Sequence, residues 1–301
     1  MKLKLVALIL AGGALAASAQ QNAANVADQE RQRVNQEIFR QPAGAPGSDE
    51  AEAAHDLGRM APVEAEKNFT FSNLTGIEWN SNARLSSANE QDSPVVSERL
   101  GLKYKWEFAK QWTLNAAVHQ QFLWFTSASD VDFLGQTLDT NVAYQFKEGP
   151  RLHAGGGLYR YESTNRGDQL IQAGTEEFGI DDSFRFFEGR SALFCGYTFT
   201  HENTSPGAFD KLRHQALVGW NQALITNYLA AQAFYSFAYT DYQRVEREDK
   251  NSLAGVNLTW TFNQYVALTG FFNHTWNYSS NSGCDYKNLA TGVLLNFNFR
   301  F

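Results

Sequence analysis

Leu100-Gly-Leu102-Lys-Tyr104-Lys-Trp106-Glu-Phe108 alternates apolar with small or charged residues, without a fault, over nine positions. The same texture runs through Val256-Asn-Leu258-Thr-Trp260-Thr-Phe262 and closes the chain in Val293-Leu-Leu295-Asn-Phe297-Asn-Phe299-Arg-Phe301. In the last stretch Leu294 alone is apolar on the polar side. A strand turns successive side chains to opposite faces, so a period of two over such lengths places one face against something apolar and the other against something polar.

Working outward, the alternation extends from Phe69 to the end, and its punctuation counts the strands. Strands that close on an aromatic residue are followed at once by a tight polar turn, with closing aromatics at 108, 146, 187, 220, 262 and 301. Six units of this size, each two strands with one short and one longer connection, make twelve strands. The longer connections are expected at 83–94, 127–133, 164–175, 202–209, 241–250 and 280–286. Asp181-Asp182 interrupts the pattern, so a bulge is expected there. Gly155-Gly-Gly157 falls mid-strand, without the strand-to-helix setting of a phosphate loop, and thins the backbone of a wall.

No stretch of 18 apolar residues exists for a transmembrane helix. Aromatic residues nevertheless make up 14% of the chain while the mean hydropathy is −0.41. A sheet with lipid on one face and water on the other reconciles the two. Its fold class is an all-β, antiparallel up-and-down transmembrane barrel of about twelve strands over 68–301. Trp79, Trp106, Trp112, Trp124, Tyr144, Trp220, Tyr235, Trp260, Trp276 and Phe301 are expected to point outward in two girdles. The competing fold, a secreted β-sandwich or propeller, would bury these rings.

The N-terminus differs. Met1-Lys-Leu-Lys4, an apolar run from Leu5 to Leu15 and Ala17-Ser-Ala19 form a secretory signal over 1–19, with cutting expected after Ala19. Residues 20–67 hold a short candidate helix ending near Arg40, then Pro42-Ala-Gly-Ala-Pro-Gly-Ser48 and an acidic stretch. This is a periplasmic tether, with a lumen plug or a partner-binding helix as alternatives. Cys195 and Cys284, one on a strand and one in a loop, read as free thiols. A net charge of −7 argues against nucleic-acid partners.

The signal, the hairpin pattern of 68–301 and the closing Asn296-Phe-Asn-Phe-Arg-Phe301 resemble the outer-membrane β-barrel proteins of Gram-negative bacteria, of a porin type whose subfamily the residues do not identify. The resemblance implies short periplasmic turns, longer extracellular loops and outer-membrane lipid as surroundings. It also implies biogenesis through periplasmic chaperones and the barrel-assembly machinery, with Phe297, Phe299 and Phe301 as the assembly signal.

Alternation assigns a lumen. Glu78, Arg99, Lys103, Lys105, Glu107, His119, Asp139, Arg151, His153, Arg185, Arg213 and Arg300 are expected to face inward, seven of them Arg or Lys and three acidic. The surplus acids are expected in loops, at Asp130/Asp132, Glu162, Asp181/Asp182 and Glu246/Glu248/Asp249. A basic lumen with an acidic mouth would prefer anions, and the function expected is passive diffusion of small hydrophilic solutes. Arg99, Gln121 and Asp139 are expected in one row. Rival readings are a structural barrel, an adhesin or receptor acting through its loops, and an outer-membrane phospholipase. The last needs a lipid-facing Ser beside a base. The neighbours two residues from His214 are Leu212 and Ala216, and those of His274 are Phe272 and Trp276, so neither His has one. No metal or cofactor motif stands out, and no catalytic residues are assigned.

Overall fold

The computed structural model describes residues 68–301 apart from 88, 89, 148, 166 and 188. The expected signal at 1–19 and the segment 20–67 lie outside the described residues. Twelve strands follow one another: β1 (Phe69–Asn80), β2 (Ser93–Ala109), β3 (Trp112–Phe125), β4 (Phe133–Gln145), β5 (Arg151–Ser163), β6 (Gln169–Phe186), β7 (Ser191–Ser205), β8 (Lys211–Ile225), β9 (Leu229–Tyr242), β10 (Arg247–Asn263), β11 (Val266–Ser279) and β12 (Tyr286–Arg300). Each pairs antiparallel with its sequence neighbours, and β12 returns to β1 to close a barrel.

The closing seam is continuous. Thr70 lies opposite Arg300, Asn80 lies opposite Ala290, and Phe69 and Phe301 exchange two backbone hydrogen bonds of 3.1 and 3.0 Å beyond the ladder. The rings of Phe69 and Phe301 stack at 5.9 Å. Both ends of the barrel therefore sit on the rim of tight turns, the periplasmic rim in barrels of this kind.

Parity along the strands sorts the side chains as the alternation requires. Trp79, Trp106, Trp112, Trp124, Trp220, Tyr235, Trp260 and Phe301 are exposed, and Tyr144 and Trp276 are half-buried on the same outer face. Between the rings run Val118, Leu138, Leu158, Phe178, Val218, Val256, Phe272 and Val293, all exposed. A soluble sandwich or propeller would have turned these surfaces inward.

Two expectations change. The connections on the loop rim are shorter than the sequence indicates, because β6 begins at Gln169, β7 runs to Ser205 and β10 begins at Arg247. At that rim the outer face is polar as well, with Arg160, Glu162, Gln172, Glu248 and Lys250, so strand and loop look alike in composition. The expected bulge at Asp181-Asp182 is absent, since Arg151, Asp181 and Gly196 stand in unbroken register. The irregularity falls instead at Leu170, where Tyr161 and Glu162 face Ile171 and Gln169. Asp181 fits a regular strand because its side chain turns inward to meet Arg151.

All seven Trp belong to the outer face, at its two margins. In vesicles of brominated phospholipid, quenching of the intrinsic fluorescence is expected to be stronger for bromines near the headgroup than near the chain terminus. Fluorescence indifferent to both would refute the membrane-facing assignment.

Candidate functional site: the barrel lumen

Loops and strands fill the loop-rim end of the lumen together. Ala83 and Leu85 from the β1–β2 connection, Ala128 and Val131 from β3–β4, and Phe209 from β7–β8 fold inward. There they pack on the lumen-facing Val95, Phe125, Phe133, Tyr161, Ile171 and Tyr286. This is a lid of apolar side chains across the mouth.

Three loops are held by the same device. Short 3-10 turns at Ser129–Val131, Gly207–Phe209 and Ser282–Cys284 each end in an Asp. Each Asp carboxylate reaches back to a backbone N–H of the preceding segment: Asp132 to Phe125, Asp210 to Thr204 and Asp285 to Ser279, all at 2.6 Å. The residue before each Asp, Val131, Phe209 or Cys284, is the one buried. Asp210 also accepts from the Thr204 hydroxyl at 3.0 Å and from Arg244 at 2.6 Å. Burial alone would raise its carboxyl, but the Thr204 hydrogen bonds and the Arg244 charge outweigh it and hold the pKa below the ordinary value. Burial dominates at Asp132 and pushes its carboxyl up, only partly opposed by the Phe125 N–H and Asn165.

Below the lid lies a belt of buried charge. The Lys211 ammonium meets Glu202 at 3.2 Å with both side chains fully buried, and the Tyr159 hydroxyl donates to the same carboxylate. The Arg247 guanidinium is paired with Asp249 through two hydrogen bonds, one of 2.9 Å and a shorter second. It lies 4.3 Å from the Tyr242 ring centre, with Lys211 5.8 Å from the same ring. Deeper in, Phe194, Leu217, Phe234 and Leu253 form an apolar cluster on the inner face of β7–β10. Across the lumen, Arg151 meets Asp181 at 3.0 Å, and His153 sits between Asp181 at 3.2 Å and Glu177 at 3.4 Å. Gly179 makes room for that imidazole, since a Cβ there would stand 2.3 Å from His153 Nε2.

The turn-rim end is different. Along the inner face of β2 the residues are buried from Ser93 to Ser97, half-buried at Arg99 and exposed at Lys103, Lys105 and Glu107. β6 repeats the gradient, from buried Ile171 and Ala173 to exposed Ser183 and Arg185. Lys105 and Glu107 pair at 2.8 Å in the open. The described lumen is a vestibule open at the turn rim and closed by the lid.

Glu78, Arg99, Lys103, Lys105, Glu107, His119, Asp139, Arg151, His153, Arg185, Arg213 and Arg300 all have inward parity. The expected row does not form. Arg99 stands opposite Gln121, and Gln121 opposite Gly135, while Asp139 shares its row with Ala117 and Lys103. Nor do all the surplus acids lie in loops. Asp181 and Asp249 point inward, joined by Glu177 and Glu202, with Lys211 and Arg247 added to the cations. On the inner face of the described strands there are nine Arg or Lys against seven acids, a net of +2 where seven against three implied +4. Glu202, Lys211, Arg247 and Asp249 escaped the sequence reading because they stand towards strand ends that looked like loops. The signal that could have found the latches is repetition: an apolar residue followed by Asp at 131–132, 209–210 and 284–285, in every second loop.

On the outer face, the Tyr197 hydroxyl meets His214 Nδ1 at 2.6 Å, and His274 lies against Trp276 with ring centres 5.2 Å apart. Ser252 is bonded to the Tyr235 hydroxyl at 3.1 Å.

The fold is similar to that of an outer membrane channel from Pseudomonas putida F1, with a TM-score of 0.56, 10% identity, 80% of this chain covered and all of the other. The family described as "Putative beta-barrel porin 2" matches residues 194–299, from β7 into β12. The chain shares with that channel the fold of a closed β-barrel. At lower TM-scores stand OmpT of Vibrio cholerae (0.41, 10% identity, covering 79% of this chain and 99% of the other) and the β domain of the Bordetella autotransporter BrkA (0.45, 12%, 76% and 99%). No curated protein matches the chain.

Replacing Asp210 by Asn removes an anion whose folded pKa lies below its unfolded value. The stabilisation it supplies is present above the unfolded value near 3.9 and is lost as the pH falls through the lower folded one. The difference in thermal midpoint between wild type and Asp210→Asn is therefore expected in full at pH 7 and to vanish on strong acidification. Asp210→Ala, which also orphans the Thr204 N–H, is expected to cost about 1–3 kcal/mol at neutral pH. A midpoint difference that does not change with pH would assign the latch no carboxylate.

Proposed function

We propose that this barrel is a gated channel of the Gram-negative outer membrane, passing small hydrophilic solutes by passive diffusion with a mild preference for anions. The observation that carries the reading is the gradient of exposure along the lumen, from the open inner face at Lys103, Lys105 and Arg185 to the apolar lid. A purely structural barrel does not need a vestibule lined with exposed cations. A freely open pore would not close its mouth with Val131, Phe209 and Tyr286.

The gate works by exclusion of water. An apolar constriction offers a hydrated ion no replacement for its water shell, so conduction waits for the lid to part. The three Asp latches hold separate loops, so one loop can release while the barrel wall keeps every ladder bond. Between the vestibule and the lid, the buried pairs Glu202–Lys211 and Arg247–Asp249 are already neutralised. The net preference then rests on the vestibule, whose exposed inner face carries Lys103, Lys105 and Arg185, with Glu107 beside Lys105.

The structural-barrel reading keeps one specific support, the packed inner face of β8–β11, where every lumen position from Lys211 to Gly219 and from Arg247 to Asn257 is buried. Binding through the loops has less support, since the connections at the loop rim run from 4 to 12 residues. We read the protein as having no enzymatic activity, because the outer-face histidines are engaged by Tyr197 and Trp276 and Ser252 by Tyr235.

Planar-bilayer recording of the refolded protein tests the gate. Wild type is expected to open rarely, and Phe209→Ala or Asp210→Ala to raise the open fraction several-fold. Silence from wild type and both variants would establish the structural reading instead. In a salt gradient, Lys103→Glu/Lys105→Glu is expected to shift the reversal potential towards cations. An unchanged potential with normal opening would remove the anion preference.

A further inference from the structure

We propose that the outer face of β1–β4 is a contact surface for a second copy of this chain within the membrane. This inference rests on the lipid-facing wall alone and stands apart from the gating of the lumen.

The lipid face of β1 interrupts the apolar run of the outer wall. Between Phe71 and Trp79 its outward residues are Asn73, Thr75 and Ile77. Asn73 is four residues above Phe69 and six below Trp79. At about 3.3 Å per residue and a tilt near 45°, that places it roughly 10 Å into a belt of about 25 Å. On the same face, the Thr75 hydroxyl donates to Asn73 Oδ1 at 3.0 Å, and Asn73 Nδ2 donates to Glu98 Oε1 at 3.4 Å. Glu98 on β2 stands opposite Thr75 on β1 and Phe122 on β3. The band continues with Gln120, two strands from Asn73 on one ladder through Leu100, and with Gln136 opposite Gln120 on β4.

Several polar groups elsewhere on the outer wall find side-chain or carbonyl partners within it, whereas Asp182 of β6 accepts only from the N–H of Ser183, at 2.7 Å, among the described residues. Thr140 donates to Gly156 O at 3.3 Å, Thr291 to Phe271 O at 3.0 Å, Ser252 is bonded to Tyr235, and Glu176 faces His201 at 3.4 Å. Among the described residues, the Glu98 carboxylate meets no cation, and neither the Gln120 nor the Gln136 carboxamide has a hydrogen-bond partner. Hydrocarbon cannot supply the missing bonds, and such groups at membrane depth face protein or water.

The chemistry of the band selects the occupant. A two-fold contact apposes the same patch from both copies and therefore requires a self-complementary surface. Carboxamides both donate and accept, so Gln120 and Gln136 of one copy can donate to Glu98 of the other and bond each other across the axis. A partner of different sequence would need a matching cluster of its own, whereas a second copy carries one by construction.

Cross-linking and sedimentation of the full refolded chain test this. In a Cys195→Ser background, Gln120→Cys in vesicles at high dilution is expected to form a disulfide-linked dimer on mild oxidation, and Val256→Cys, on the opposite wall, is not. In density-matched detergent, wild type is expected to sediment as a dimer. Asn73→Leu/Glu98→Leu/Gln120→Leu/Gln136→Leu should weaken that association at least tenfold while keeping the heat-modifiable gel mobility of a folded barrel. The substitutions are apolar, as the lipid face is elsewhere, so folding should survive them. If the fourfold variant does not fold, the Gln120 and Val256 cross-linking pair decides alone. A monomeric wild type without the Gln120 cross-link overturns the proposal, and so does equal cross-linking at Gln120 and Val256. Retention of a different protein at this face, with the refolded chain alone monomeric, overturns it in favour of a heterologous partner.

Discussion

Closure of β12 onto β1 is the constraint on which everything else depends. In hydrocarbon, a strand with a free edge leaves a row of N–H and C=O groups without water, each costing several kcal/mol. The sheet can cross the membrane only as a closed ring. The run of pairs from Thr70–Arg300 to Asn80–Ala290, finished by the Phe69–Phe301 hydrogen bonds, supplies that closure. Once the ring is closed, parity does the rest: each strand delivers alternate residues to lipid and lumen, and no loop is needed to hold the wall.

A closed ring of twelve strands is narrow enough for large side chains to fill and wide enough to stay open if they do not. This chain does both along one axis. Phe194, Leu217, Phe234 and Leu253 fill the inner face of β7–β10, while β2 and β6 leave Lys103, Lys105 and Arg185 in solvent near the turns. The buried ion pairs lie beyond that cluster, towards the lid. Lys211 and Glu202 are tolerable there because each neutralises the other and Tyr159 supplies a further hydrogen bond. Tyr242 serves two cations at once through its ring face.

The lid shows how little sequence a closed mouth requires. A 3-10 turn places one apolar side chain inward, and the following Asp ties the turn to a backbone N–H. Three copies of that arrangement stand in alternate loops, in spite of quite different residues around them. The carboxylates are not equivalent. Arg244 and Thr204 favour the Asp210 anion, whereas burial disfavours that of Asp132, so the latches differ in their response to acid.

The sequence by itself determined the class of fold, the number of strands and the face to which nearly every aromatic belongs. A period of two is a local property, and in lipid it leaves no alternative packing for rings such as Trp106 and Trp260. The inward parity of Arg99, Lys103 and Arg213 was legible for the same reason. Only the tertiary structure decided which inward residues meet. Register shifts by one turn length move Asp139 from the row of Arg99 to that of Lys103, and nothing local to Asp139 records that choice. The strand ends were illegible for a related cause. Above the lipid belt both faces of the wall are polar, so Asp249 and Glu202 look like loop acids until the closed barrel brings Arg247 and Lys211 against them.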